Sequence, residues 1–272
     1  MCVVRPRQRH WSKVLRTLRQ ASGHGGRCGR GCFRRRRLLT LEGRGIVCDY
    51  GPVRALAGVD LRAAGREILA IVGPNGAGKT TLLKVLSGER RPDHGEVTLN
   101  GTRVSGSDAA WRARIGLVSH RTGLYEKLTA IENLRFFAAL HGLRRNGRKL
   151  TATLEAVGAG DLAGRRVETL SRGQRQRVAL ARSILHDPEI LFLDEPFTGL
   201  DPEGAAGLEH ALTARRHDGA VVVLVTHDLR RGLRLADRVV VLRRGRKVFD
   251  GEAAEDGAAE ILDHFTAGAE AP

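Results

Sequence analysis

Apolar and polar residues alternate around Leu39-Thr-Leu-Glu42, Ala57-Gly-Val-Asp-Leu61 and Glu96-Val-Thr-Leu99. A period of two puts successive side chains on opposite faces, so these stretches predict antiparallel strands joined by turns. Ile68-Leu-Ala-Ile-Val72, Ile190-Leu-Phe-Leu193 and Val221-Val-Val-Leu-Val225 are apolar throughout. Short runs of that kind predict strands buried on both faces. Between them, Thr80–Leu86, Leu128–His141, Leu150–Val157, Arg172–Leu185 and Glu203–Arg216 predict helices. The order predicts an α/β fold with a mainly parallel core sheet, an antiparallel β subdomain and a helical subdomain over about residues 120–170. The folded domain is expected over residues 38–262, followed by a tail at 263–272. No internal repeat is visible.

Composition narrows the possibilities. With 42% hydrophobic residues in a chain of 272, there is core material for one large domain or one domain with a subdomain. No apolar run approaches the length of a membrane-spanning helix, so a partner chain would have to supply any span. The net charge of +16 invites a nucleic-acid reading, but its location argues otherwise. Residues 1–41 hold 12 of the 46 basic residues and none of the 30 acidic ones, which leaves 34 against 30 for the remainder. The folded part is nearly balanced, without a basic patch interleaved with aromatics, and no nucleic-acid partner is expected. Residues 1–37 read as a basic, disordered extension. Trp11, Val14, Leu15 and Leu18 at helical spacing also fit a membrane-surface helix, and the Arg-rich, acid-free composition also fits a transit segment or a start placed too far upstream. No continuous apolar run follows the first arginines, so no signal peptide is expected, and Cys2, Cys28, Cys32 and Cys48 are not expected to form a disulfide framework.

The most specific chemistry is Gly73-Pro74-Asn75-Gly76-Ala77-Gly78-Lys79-Thr80-Thr81. Two glycines frame four residues, then Lys and Thr follow, between a predicted strand and a predicted helix. Gly76 and Gly78 let the backbone turn its N–H groups towards phosphate oxygens, and the helix start adds its positive dipole end. Lys79 can reach the β- and γ-phosphates, and the Thr80 hydroxyl can ligate Mg²⁺. Asp194 and Glu195 end a predicted strand, where an α/β sheet opens its ligand crevice. Asp194 can hold Mg²⁺, directly or through water, and Glu195 is placed to activate the attacking water as a general base. Ser171-Arg-Gly173-Gln174 starts a helix, where a capping box and an anion site are compatible readings. Thr226-His227 follows the run 221–225, where an imidazole can contact a γ-phosphate.

Taken in order, Tyr50, Gly73–Thr81, Leu170–Gln174, Leu191–Glu195, Gly199-Leu-Asp201 and His227 resemble the motifs of the ABC ATPase family. The resemblance covers roughly residues 38–262. It implies a phosphate-loop NTPase fold, ATP and Mg²⁺ as ligands, and a head-to-tail dimer, either of identical chains or with a second ATPase subunit. Two ATP molecules would lie between the phosphate loop of one subunit and Ser171, Gly173 and Gln174 of the other. It implies that Tyr50 stacks on adenine, that Asp201 crosses the dimer interface and that His227 senses the γ-phosphate. Dimer closure would drive a separate integral membrane permease, which binds the small-molecule cargo, from the cytoplasmic face of the inner membrane.

Departures from the family pattern occur at Arg172, where Gly is usual, and at His120, where a Gln usually contacts Mg²⁺ and water. A neutral imidazole at His120 can still exchange a hydrogen bond with a Mg²⁺-bound water. Val118–Tyr125 with Leu128–Arg135, and Leu170–Arg182 with Asp194–Asp201, are similar to the ATPase subunits of the haem exporters of cytochrome c maturation. ATPases of drug, polysaccharide or lipid exporters share much of the pattern. A soluble ABC protein acting on nucleic acid or ribosomes is the alternative of another class. Such proteins commonly carry two cassettes or a long coiled coil, whereas this chain has one cassette and no sustained heptads.

Overall fold

A computed structural model describes residues 39–119, 122–143, 146–253 and 261. It divides into two compact units. Of the described residues, 39–119, 187–198, 212–253 and 261 make up one unit around two sheets, and 122–143, 146–186 and 199–211 make up the other, which is helical.

In the sheet unit, β1 (Thr40–Tyr50) and β2 (Val53–Ala64) form a long hairpin. β3 (Glu67–Val72) follows, then α1 (Lys79–Ser87), β4 (His94–Leu99) and the short β5 (Thr102–Arg103). α2 (Ala109–Arg114) leads into β6 (Ile115–Val118). The alternation read in the sequence holds in burial for most of these strands: Leu41, Leu56, Val59, Leu61, Val97 and Leu99 are buried, Glu42 and Glu96 are half-buried and Asp60 is exposed, whereas Thr98 breaks the pattern and is buried with its neighbours. These strands form an antiparallel sheet in the order β2-β1-β4-β5.

The helical unit contains α3 (Ala130–Leu140), α4 (Gly147–Glu155) and α5 (Arg172–Ile184). Thr129 starts α3 with a complete capping box: its hydroxyl accepts from the Glu132 N–H, and the Glu132 carboxylate accepts from the Thr129 N–H. Leu134, Ala138, Leu150, Leu154, Val178 and Ala181 recur at helical spacing and are buried.

At the end of α3, His141 stacks on His186, which lies just past α5, with ring centroids 3.9 Å apart and planes within 7°. Burial, and then the charge of Arg182, hold the His141 pKa below its ordinary 6.5. The unfolded chain therefore binds a proton near pH 6.5 that the folded one refuses until a lower pH. The stability this group contributes at neutral pH is lost as pH falls from 6.5 towards the folded value. Thermal melts between pH 7.5 and 5.5 should show a drop that is smaller in His141→Gln. An equal drop in both proteins would remove His141 as its source.

β7 (Ile190–Asp194) follows, then α6 (Pro202–His217), β8 (Val221–Val225), α7 (Leu229–Leu235), β9 (Arg238–Arg243) and β10 (Arg246–Glu252). The core sheet runs β10-β9-β3-β8-β7-β6, parallel throughout except for the edge pair of β9 and β10. Every residue of β7 and β8 is buried, as their unbroken apolar sequences require. Among the described residues, no helix is long and apolar enough to cross a membrane.

Candidate functional site

β3, β8 and β7 are parallel neighbours, so their carboxyl ends open on one edge of the sheet. That edge collects the chemistry: Gly73–Gly78 after β3, Thr226 and His227 after β8, and Glu195 after Asp194 of β7. The three segments lie far apart in sequence and are brought together by the strand order alone.

Each loop glycine has a distinct reason to be there. A Cβ on Gly73 would come within 2.2 Å of the Leu242 carbonyl oxygen, and one on Gly78 within 2.5 Å of that of Ala55. Gly76 faces open space, and its requirement is the backbone turn at φ +77°. Pro74 and Asn75 are exposed, whereas Ala77 is buried and pins the loop to the core. The result is a rigid arch over the start of α1. At the other end of α1, Gly88 caps the helix in the left-handed conformation.

The Lys79 side chain curls under this arch, with its ammonium donating to the carbonyls of Gly73 at 2.7 Å and Pro74 at 2.9 Å. Burial lowers its pKa, and the charges of Glu195 and Asp194 oppose that shift. The ammonium thus waits under the loop, ready to exchange neutral carbonyls for an anion. Thr80 is exposed and its hydroxyl donates to Asp194 Oδ1 at 3.2 Å. Two oxygens bound cis on octahedral Mg²⁺ stand about 2.9 Å apart, so this pair fits one ion with little movement. Among the described residues, no group of three or more His, Cys, Asp or Glu could hold a metal. That donor set suits Mg²⁺ delivered with phosphate oxygens, as one carboxylate and one hydroxyl cannot cage it alone. When bound, the ion would neutralise developing charge on the phosphates. Asp194, only 3% exposed, would hold it, and Thr80 would complete the protein's share.

Glu195 is held in an uncommon conformation. Its φ is +50°, a region costly for a residue with a Cβ, and strain of this kind collects at functional sites. Its N–H donates to the Val225 carbonyl at 2.9 Å, which fixes the backbone. The side chain is fixed as well. Oε1 lies 2.8 Å from His227 Nδ1, and Oε2 accepts from the Thr226 hydroxyl at 3.3 Å. A carboxylate clamped at both oxygens, one residue after the Mg²⁺ candidate, can accept a proton from a water in line with a phosphate. The Thr226 hydroxyl is buried and also accepts the Asp228 N–H at 3.0 Å. Thr226 is the functional residue whose part the sequence left unread, and only its position directly before His227 pointed to it.

Tyr50 ends β1 and is 44% exposed, as a base-stacking surface requires. In the helical unit, Ser171 caps α5. Its hydroxyl accepts from the Gln174 N–H at 3.2 Å, while Gln174 Oε1 accepts from the Ser171 N–H at 3.0 Å. The Gln174 side-chain oxygen thus serves the cap, and the Ser171 hydroxyl proton stays available to an anion. A Cβ on Gly173 would approach the Gly199 carbonyl oxygen to 2.3 Å, so packing within the unit demands glycine there. Arg172 is exposed and lays its stem along Gly199. Asp201 accepts the Gly204 N–H at 3.0 Å at the start of α6. His120 lies outside the described residues.

The fold and this site define a phosphate-loop NTPase cassette, and comparison with known proteins gives the family. Residues 56–198 match the ABC transporter family. The daunorubicin resistance ATP-binding protein DrrA3 of Streptomyces coeruleorubidus is 41% identical over 76% of this chain. The phosphonates import ATP-binding protein PhnC of Anaeromyxobacter dehalogenans is 42% identical over 79%. The chain spans 66% and 46% of those two proteins' lengths, less than two thirds of each. A solved dimeric ATP-binding cassette, in a post-hydrolysis state with ADP and Pi, superposes with a TM-score of 0.71 at 27% identity, covering 79% of this chain and 99% of that one. The chain belongs to the ABC transporter family, as an ABC ATPase domain whose nucleotide is ATP with Mg²⁺.

Proposed function

We propose that this chain is the ATP-hydrolysing subunit of an ABC exporter that drives a separate integral membrane permease from the cytoplasmic face of the inner membrane. The observation that carries the hydrolytic role is the clamped Glu195 carboxylate beside the Asp194 and Thr80 pair. In this reading Lys79 and the loop amides hold the β- and γ-phosphates, and Asp194 and Thr80 hold Mg²⁺. Glu195 takes the proton of the attacking water, and His227 keeps that carboxylate aimed while its other nitrogen faces the γ-phosphate. Tyr50 carries the adenine. Two chains, or this chain and a second ATPase subunit, close head to tail around two MgATP. Ser171 and Gly173 of one cover the nucleotide of the other, and Asp201 bridges the interface. The dimeric state of the related solved cassette supports that arrangement.

The export direction is supported by the drug-resistance relative, although importers are comparably similar. Haem for cytochrome c maturation is the cargo favoured by the resemblance of Val118–Tyr125, Leu128–Arg135, Leu170–Arg182 and Asp194–Asp201. The permease binds the cargo. An affinity-tagged Glu195→Gln chain, drawn from its host's membranes in ATP, should bring an integral membrane protein with it. ATPase activity of the reconstituted wild-type pair should then respond to haem. A response to an anthracycline or a lipid instead would reassign the cargo, and capture of RNA or ribosomes in place of a membrane protein would overturn the transport role.

A further inference from the structure

Tyr50 ends β1 next to the Gly51-Pro52 turn, and a half-exposed tyrosine at a hairpin tip has little packing to fix its ring. Arg90 supplies what packing does not. Its guanidinium carbon lies 4.0 Å from the centroid of the Tyr50 ring. The guanidinium is itself held. Its Nε donates to Cys48 Sγ at 2.7 Å, and a terminal NH₂ donates to the Asp49 carbonyl at 2.6 Å. The Asp93 carboxylate, 3.9 Å away, also accepts the Asp49 N–H at 2.8 Å. One planar fork therefore grips Cys48, Asp49 and Tyr50, three consecutive residues of one strand. A lysine could not do this, because it lacks the fixed geometry of several coplanar donors.

The backbone of Arg90 is anchored too. Its N–H donates to the Lys84 carbonyl at 3.0 Å, two residues beyond the Gly88 cap of α1. The phosphate loop opens that same helix. The ring and the phosphate arch are thus tied to the two ends of one short rigid element.

We propose that Arg90 is a positioning residue for the nucleotide base, holding the Tyr50 ring from one face so that adenine stacks on the other. The inference rests on the reading of Tyr50 as the adenine platform. A ring fixed before binding spares the nucleotide the entropy of ordering it, and a cation against a tyrosine face is worth a few-fold in affinity at a partly exposed site. Arg90 touches no phosphate in this account, so its effect belongs to the base alone.

The test compares two ligands on the full chain, ATP and inorganic tripolyphosphate, each with Mg²⁺. Arg90→Met should weaken ATP binding roughly three- to tenfold, leave tripolyphosphate binding unchanged and keep kcat at saturating ATP within about twofold. Arg90→Gln should do the same, and serves if the Met variant melts early. Arg90→Lys, which retains a cation, should recover part of the loss. If ATP and tripolyphosphate weaken together, Arg90 is only a structural tie and the proposal fails. It fails equally if Arg90→Met and Arg90→Gln bind ATP like wild type while Tyr50→Ala does not. If Tyr50→Ala itself binds ATP like wild type, the platform reading falls first, and the proposal with it.

Discussion

Glu195→Gln is expected to lower ATP turnover by about a thousandfold while leaving ATP affinity close to that of the wild type. General-base catalysis is worth roughly 10²–10⁴ in rate, and an amide of the same shape cannot accept the proton of the attacking water. Binding should survive because the contacts assigned to the phosphates come from Lys79 and the loop amides. Retention of shape is also expected. The Glu195 backbone is fixed by its N–H bond to Val225, and the amide oxygen can still accept from the Thr226 hydroxyl. Single-turnover hydrolysis separates the chemical step from binding. A Glu195→Gln chain that hydrolyses ATP at the wild-type rate would strike Glu195 from the catalytic role.

Lys79→Ala is expected to weaken MgATP binding about a hundredfold, in line with removing charge-assisted hydrogen bonds from a largely buried site. The same change should not harm the empty protein. Burial holds the Lys79 pKa below its ordinary value, so its charged form is the disfavoured one in the fold. Burying the ammonium is thus a penalty on the folded chain, which the charges of Glu195 and Asp194 offset only in part. Removing the ammonium removes the penalty, at the expense of two bonds to the Gly73 and Pro74 carbonyls. The melting temperature without nucleotide should therefore change little, while the rise on adding MgATP should vanish. Thermal melts with and without ATP read both effects. A lowered melting temperature without nucleotide would instead make Lys79 a structural residue.

Local signals made most of this legible. β3, the loop and α1 are contiguous, so glycine spacing, an apolar run and a helical run in one window identified the phosphate arch. β8 was legible because Val221–Val225 is apolar at every position and is bounded by Ala220 and Thr226. β9 and β10 were not. Their apolar core, Val239–Leu242, is flanked by arginines, and Lys247 and Asp250 interrupt the edge strand. Arg238 is satisfied by a cross-strand ion pair with Asp250, and Lys247 pairs with the same carboxylate along its own strand, which no periodicity reveals. α2 was too short to show a period, although Asp108 caps it and Trp111 buries its one apolar face.

The site divides in the same way. Asp194 and Glu195 were legible as a pair of carboxylates ending a strand. The clamp on Glu195 was not, since Thr226 and His227 come from another strand and meet it only through the order β8-β7. Arg90 over Tyr50 was hidden for the same reason: the two are joined across the hairpin and the end of α1, with no shared motif. Gly173 was legible as part of a helix-start anion site, but its close fit against the Gly199 carbonyl was not, since Gly199 lies beyond β7 in the sequence.

The central claim is that Glu195 resets a cassette that closes as a dimer around MgATP. Light scattering of the Glu195→Gln chain during size exclusion, with Mg²⁺ and saturating ATP, tests it most directly. The account predicts the mass of two chains, one ATP retained per chain, and return to the mass of one when ATP is left out. A Glu195→Gln chain that binds ATP yet elutes with the mass of a single chain would contradict it.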